Sequence, residues 1–168
     1  GQVAAMIAHE LGTPLNAIAG HLELLRQEGG LSPGAAERLR VIEGQVDRLT
    51  ELWKRGVRFM GLTHLSNNEL GGSSFPLMGN KPLSPLGHEV LEAMAGLGMA
   101  LDVAHASPAA LADMFSHASA RPFSSHTGAQ GATASWRNLA DDALKTIADR
   151  GGVVGIIFAP RFVGGKTF

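Results

Sequence analysis

Three histidines stand at the ends of three short apolar runs in the second half of the sequence. His64 ends the run GVRFMGLTH, His105 ends MALDVAH, and His126 ends RPFSSH. If these runs are neighbouring parallel strands, their carboxyl ends share one rim, where β/α barrels assemble their active sites. Neutral imidazoles collected at such a rim are natural metal ligands. The pattern therefore favours a metal or catalytic site over three unrelated packing histidines.

A second group of reactive residue types lies near the start, in the stretch HELGTPLNAIAGHLELL. His9 is followed there by Glu10, Thr13 and Pro14. Pro14 lacks a backbone N–H and its ring clashes with the preceding turn, so it bends the helix just past His9. An exposed imidazole is largely neutral and nucleophilic near neutral pH. In this setting we interpret His9 as a reactive group rather than a plain surface histidine.

Two predicted helices carry and flank the group around His9. Apolar residues recur every three or four positions through residues 7–25 and again through residues 39–53, which is typical of one apolar face on each of two helices. A Gly- and Pro-rich break at residues 29–34 separates them, with Pro33 at a first helical position. Two short helices cannot bury both faces alone, so a homodimeric four-helix bundle is expected.

The later part of the chain predicts alternating strands and helices. Ser84 and Ser107 each precede a proline and an apolar helical stretch, and a third helix ends at Gly151. A fourth apolar run, VVGIIFAP, follows. Strands and helices that alternate through short links indicate parallel βαβ units.

The expected fold class is therefore α/β in two parts. Residues 1–53 form a two-helix hairpin, and residues 54–168 form a partial parallel β/α (TIM-type) barrel of about four strands. A complete barrel usually needs about 250 residues. An alternative stays open at the junction, because residues 36–54 can also pack against the sheet as a barrel helix.

Composition excludes several classes of protein. The 168 residues carry a net charge of −1, which gives no electrostatic reason to expect nucleic acid or an anionic membrane as partner. Cysteine is absent, so a transition metal must use His, Asp or Glu. No apolar run is long enough to span a membrane and no signal peptide is visible, so a cytoplasmic location is expected.

The stretch around His9 resembles the phosphoacceptor box of two-component histidine kinases, within their dimerisation and phosphotransfer domain. The resemblance implies that His9 accepts a phosphoryl group, that Glu10 takes its proton and that Thr13 orients water during dephosphorylation. It also implies a response regulator as partner. No ATP-binding domain follows, so this segment is expected to receive a phosphoryl group but not to supply one.

Four later blocks resemble the zinc-dependent membrane (renal) dipeptidase family, whose fold is a β/α barrel. The blocks are GVRFMGLTHLSNN, LSPLGHEVLEAMAGLGMALDVAHAS, RPFSSHTGA and RNLADDALKTIADRGGVVGIIFAP. The resemblance implies that His105 and His126 bind one of two zinc ions and that His64 contacts a dipeptide substrate. It further implies that Arg137 binds the terminal carboxylate and that Asp102 orients the site. The family's His-x-Asp zinc ligands have no match here, so the zinc site is incomplete.

The leading functional hypothesis is a zinc-dependent dipeptidase-like metallohydrolase fragment, joined to a histidine-kinase phosphoacceptor segment. The alternative is phosphotransfer through His9, and a third possibility is two partial domains with neither activity. His88 and His117 fall inside predicted helices, and we interpret both as structural or surface residues.

Overall fold

The structure, a computed structural model, describes residues 32–117 and 119–164. Its helices and strands alternate as the sequence predicts. In chain order they are α1 (Pro33–Lys54), β1 (Phe59–Gly61), α2 (Pro85–Gly96), β2 (Ala100–Asp102), α3 (Pro108–Ser116), β3 (Pro122–Thr127), α4 (Asp141–Asp149) and β4 (Val154–Ile156). Single 3-10 turns lie at Pro76–Met78 and Pro160–Phe162.

The four strands form one parallel sheet in the order β1-β2-β3-β4. Each neighbouring pair is connected through a helix, which is the arrangement of repeated βαβ units. Leu101 of β2 lies beside Met60 on one side and beside Pro122 on the other. The prediction of an α/β fold with about four parallel strands is therefore confirmed.

The sequence places the helix starts correctly, because local chemistry decides them. The Ser84 hydroxyl oxygen accepts a hydrogen bond from the Gly87 backbone N–H at the start of α2. The Ser107 hydroxyl oxygen does the same for Ala110 at the start of α3. In both helices a proline occupies the first turn, where its missing N–H has no intrahelical acceptor to lose.

The strands are shorter than predicted, and this moves two of the histidines. Strand β1 ends at Gly61 and β2 ends at Asp102, so His64 and His105 lie in the loops that follow rather than in the strands. The loop takes over the backbone pairing, because the His105 carbonyl accepts the Ser74 backbone N–H at 2.7 Å. His126, in contrast, lies within β3 as predicted.

One face of the sheet is buried and the other is open. Leu101, Met94 and Ile147 belong to a core between the sheet and its helices, each at most 1% exposed. On the opposite face, the Phe59 ring meets the Phe123 ring edge-on, with centroids 5.2 Å apart. Phe59, on the edge strand β1, remains 56% exposed, which is unusual for an aromatic ring packed on a sheet face.

Helix α1 belongs to the same core. Its Leu49 side chain is buried, Val46 and Trp53 pack against the core residues, and α1 lies against α2. The part of α1 from Val46 to Trp53 therefore packs on the core of the sheet, and the assignment of residues 36–54 to a hairpin or to the barrel stays a prediction. The predicted first helix of the hairpin, with His9, Glu10 and Thr13, lies outside the described residues.

No helix in residues 32–117 and 119–164 combines the length and the apolar character needed to cross a membrane.

If α1 is part of this core, Leu49→Ala should destabilise the chain by about 2–4 kcal/mol, because it leaves a cavity beneath the helix. Leu52→Ala is the matched control, since Leu52 lies in the same helix but is 37% exposed; it should cost less than about 1 kcal/mol. Urea unfolding followed by circular dichroism measures both. Equal effects of the two substitutions would show that α1 does not pack as described.

Candidate functional site

The structure brings the three strand-end histidines together around His105. The His105 ring centroid lies 4.3 Å from that of His64 and 5.1 Å from that of His126. The Nε2 atoms of His105 and His126 are only 3.1 Å apart. His105 is buried, His126 is half-buried and His64 is exposed, so the cluster runs from the protein interior to solvent.

Asp102 holds the segments that carry two of these histidines. Its Oδ1 atom accepts one hydrogen bond from the Ala104 backbone N–H and another from the Ser125 backbone N–H, both at 3.0 Å. These residues immediately precede His105 and His126. One carboxylate oxygen therefore sets the spacing between the two imidazoles, which agrees with the orienting role that the resemblance implies for Asp102.

The backbone at His105 adopts a left-handed conformation, with φ of 69°. This conformation costs a residue with a Cβ about 1–2 kcal/mol, so the surroundings must hold it in place. The His105 carbonyl accepts hydrogen bonds from the Ser74 backbone N–H and from the Thr63 hydroxyl. These contacts aim the His105 ring toward its two neighbours rather than along the strand.

The ring nitrogens have distinct surroundings. The Nδ1 atom of His126 lies 2.8 Å from the Ser125 hydroxyl, which orients that ring. The Nδ1 atom of His105 is buried and has no hydrogen-bond partner among residues 32–117 and 119–164. Sequence reasoning missed Ser125, because neighbouring residues in a strand are expected to point to opposite faces of the sheet.

Burial and nearby positive charge keep the two inner imidazoles neutral. Burial, followed by the positive charge of the Arg137 guanidinium, lowers the pKa of His105 to about 4. The pKa of His126 is also lowered, first by burial and then by Arg137. Neutral imidazoles keep the nitrogen lone pair that a metal ligand needs.

Arg137 lies beside the histidines with its side chain 4% exposed. Its Nη2 atom donates a hydrogen bond to the His126 carbonyl oxygen at 2.7 Å. Arg137 and His105 also line a cavity of about 230 Å³, together with Ser74 and Trp136. A guanidinium has five N–H donors, so one contact to a carbonyl leaves others for a ligand.

Trp136 fills the wall next to Arg137. Its ring meets Phe75 and Phe162 edge-on, with centroid distances of 5.4 and 6.0 Å. The Trp136 ring therefore packs against aromatic residues from two other segments. The aromatic contacts join the loop after β1 to the segment after β4, beside the cavity that Trp136 lines.

The donor set fits part of a metal site. Two nitrogen ligands of a tetrahedral zinc ion lie about 3.3 Å apart, given Zn–N bonds of about 2.0–2.1 Å. The 3.1 Å between the Nε2 atoms of His105 and His126 is close to that value. Within the described ranges, however, no group of three His, Cys, Asp or Glu side chains is arranged to hold a metal ion. These residues thus offer two neutral nitrogen donors.

The depressed pKa of His105 predicts a loss of stability in acid. The unfolded chain takes up this proton near pH 6.5 and the folded chain only near pH 4, so stability should fall as the pH drops between these values. The loss should be at most about 3 kcal/mol. Urea unfolding at several pH values, with EDTA present, measures it.

His105→Asn is the control for this prediction, because Asn tolerates the left-handed backbone. Its stability should change less between pH 6.5 and pH 4 than that of the parent chain. An identical pH dependence in both proteins would contradict the assignment of the effect to His105.

Comparison with known proteins agrees with this geometry. The family model for membrane dipeptidases (peptidase family M19) matches residues 17–167. An uncharacterized dipeptidase of Schizosaccharomyces pombe is 32% identical over 128 residues, which cover 76% of this chain and 31% of that protein. The family match begins after His9, Glu10 and Thr13, so their phosphoacceptor role stays a prediction.

Solved structures show the same fold. The probable dipeptidase PvdM from Pseudomonas aeruginosa has a TM-score of 0.63 and 30% identity, over 70% of this chain and 31% of that chain. A metallopeptidase from Rhodobacter sphaeroides, liganded with a phosphinate mimic of the dipeptide L-Ala-D-Ala, has a TM-score of 0.63 and 26% identity, over 69% of this chain and 34% of that chain. This chain thus spans about a third of the length of these relatives. From the extent of the family match and the shared fold, the chain belongs to the membrane dipeptidase family, peptidase family M19.

Proposed function

We propose that this chain carries part of a zinc-dependent dipeptidase site, in which His105 and His126 are metal ligands. The observation that carries the proposal is the 3.1 Å between their Nε2 atoms. The lowered pKa of each ring supports it, since both imidazoles are then neutral at pH 7. When bound, zinc supplies positive charge at the reacting carbonyl and an activated water as nucleophile.

In this proposal Asp102 and Ser125 position the two histidine ligands without binding the metal. Asp102 fixes the backbone before each histidine, and the Ser125 hydroxyl orients the His126 ring through Nδ1. Groups that orient metal ligands in this way commonly affect metal affinity by about 10–100-fold. The described residues therefore contribute both the ligands and the contacts that aim them.

His64 is proposed to contact the substrate. Its ring is exposed and lies beside the buried His105 ring, so it can contact the carbonyl of a peptide bound next to His105. A ring N–H directed at that oxygen would stabilise the negative charge that develops as water adds to the carbonyl carbon. As the C–N bond breaks, the amine nitrogen takes up the proton given up by the attacking water, so the products are a carboxylic acid and an amine.

Arg137 is proposed to bind the free carboxylate of the dipeptide. Its guanidinium is buried, lines the cavity next to His105, and is held by the His126 carbonyl. A planar guanidinium suits a carboxylate, because two parallel N–H groups can donate to its two oxygens. The mimic of L-Ala-D-Ala in the Rhodobacter sphaeroides metallopeptidase supports a dipeptide as the substrate class.

The sheet is proposed to be part of a β/α (TIM-type) barrel. Phe59, on the sheet face opposite the core, is 56% exposed, and in a closed barrel such a residue would face the interior. The relatives, which are about three times as long as the matched region, support a barrel with further strands.

A cytoplasmic location stays a prediction from the sequence.

For this function we expect the zinc-loaded chain to release free amino acids from an unblocked dipeptide. His126→Asn should lower the rate at least about 100-fold, because it removes one of the two proposed ligands. The assay is chromatographic detection of the amino acids, with bound zinc measured by atomic absorption. Hydrolysis and zinc content that are unchanged in His126→Asn would rule out the proposed ligand role.

Arg137→Lys tests carboxylate recognition in the same assay. It should lower kcat/KM for the dipeptide about 10–100-fold, the value of a lost charged hydrogen bond. The matched control is a dipeptide with a C-terminal amide, whose slower hydrolysis should be unchanged by the substitution. An equal loss for both substrates would mean that Arg137 acts only through the His126 backbone.

A second function, phosphotransfer through His9, is favoured by the order His-Glu-x-x-Thr-Pro in the sequence. With ATP and a complete histidine kinase as phosphodonor, the parent chain should gain acid-labile phosphate and His9→Gln should not. His21→Gln is the matched control, since it lies in the same stretch without that setting. Labelling of the His9→Gln variant at the parent level would remove this function.

A further inference from the structure

A second histidine pair lies outside the cluster around His105. His88 of α2 and His117, directly after α3, are 29 residues apart in sequence, yet the His88 Nδ1 and His117 Nε2 atoms are 3.0 Å apart. Their rings are nearly parallel, at 29°, with centroids 5.3 Å apart. The sequence interpretation as unrelated structural or surface residues misses this contact, because it joins two different helices.

The backbone on both sides of the pair is anchored. The His88 backbone N–H donates to the Ser84 carbonyl oxygen in the first turn of α2. The His117 carbonyl accepts a hydrogen bond from Arg150 Nη1 at 2.9 Å, and the Phe115 carbonyl accepts one from Nη2 of the same arginine. The two rings are therefore carried by fixed positions rather than by free loops.

A carboxylate lies behind one of the two rings. Asp113 Oδ2 is 3.8 Å from His88 Nε2, the ring nitrogen that does not face His117. The same oxygen accepts the Leu83 backbone N–H at 2.9 Å, so its position is set by the loop before α2. This distance is longer than a hydrogen bond, but the nearby negative charge favours the tautomer that carries its proton on Nε2 and leaves the Nδ1 lone pair free.

We propose that His88 Nδ1 and His117 Nε2 bind a divalent late transition-metal ion, such as Ni²⁺ or Zn²⁺, between α2 and α3. Two nitrogen ligands at about 2.0–2.1 Å from one ion lie about 2.9 Å apart in square-planar and about 3.3 Å apart in tetrahedral geometry, and the observed separation falls between these. Water fills the remaining positions, since the described part of the chain offers no third ligand there.

The ion would act as a cross-link between neighbouring helices. The His88 side chain is 40% exposed, so an ion can enter from solvent without opening the core. The alternative to a bound ion is a direct N–H···N hydrogen bond between the two rings, which has the same nitrogen–nitrogen separation. This site shares no residue with the proposed dipeptidase site, so each proposal can fail without the other.

Isothermal titration with Ni²⁺ after removal of metals with EDTA tests the proposal. The parent chain should bind one more ion than His117→Gln, whereas any ion at the His105–His126 pair appears in both and cancels. Asp113→Asn should keep the additional ion but weaken its Kd about 10-fold, because the carboxylate behind His88 is lost. Saturating Ni²⁺ should also raise Tm more in the parent chain than in His117→Gln.

Equal numbers of ions in the parent chain and in His117→Gln would overturn the proposal and leave a hydrogen-bonded imidazole pair. If His117→Gln proves unfolded by circular dichroism, His88→Asn replaces it, with the same expected loss of one ion. An unchanged Kd in Asp113→Asn would overturn the positioning role of Asp113.

Discussion

The arrangement of the candidate site depends on one carboxylate oxygen. Strand β2 ends at Asp102, and the loop beyond it keeps only single backbone contacts, such as the Val103 N–H to the Phe123 carbonyl and the Ser74 N–H to the His105 carbonyl. Asp102 Oδ1 adds to these contacts by accepting the Ala104 and Ser125 backbone N–H groups together. It thereby joins the residue before His105 to the residue before His126. The two backbone N–H groups need an acceptor, and because Asp102 accepts both, the two imidazole nitrogens lie close together.

Electrostatics then decides what these imidazoles can do. Arg137 lies next to both, and its positive charge adds to burial in disfavouring their protonation. A buried cation beside two histidines would be costly if the histidines were also charged. The neutral state is thus built into the packing, and it is the state in which an imidazole can bind a metal. The same arginine donates a hydrogen bond to the His126 carbonyl, so Arg137 and strand β3 are held together.

Helix α1 packs on the same core as the sheet. Leu49 is buried in the core that also contains Leu101 and Met94, so α1 and the sheet form one hydrophobic unit. The apolar periodicity of residues 39–53 correctly predicts a helix with one apolar face, but it does not indicate which element covers that face. For that reason the same pattern is compatible with a helical hairpin and with a helix on the sheet, and the described residues show only that this helix packs against α2.

The sequence by itself determined the features that local chemistry controls. Ser84 and Ser107 with their following prolines marked the helix starts, and the alternation of apolar runs with helices indicated the parallel sheet and placed three histidines toward one rim. Only the tertiary structure decided the strand lengths, the left-handed backbone at His105, the Asp102 bridge and the meeting of His88 with His117. These features depend on which atoms from distant segments come within hydrogen-bond distance. Residue type and spacing carry no information about that, because it arises only when the helices and strands pack.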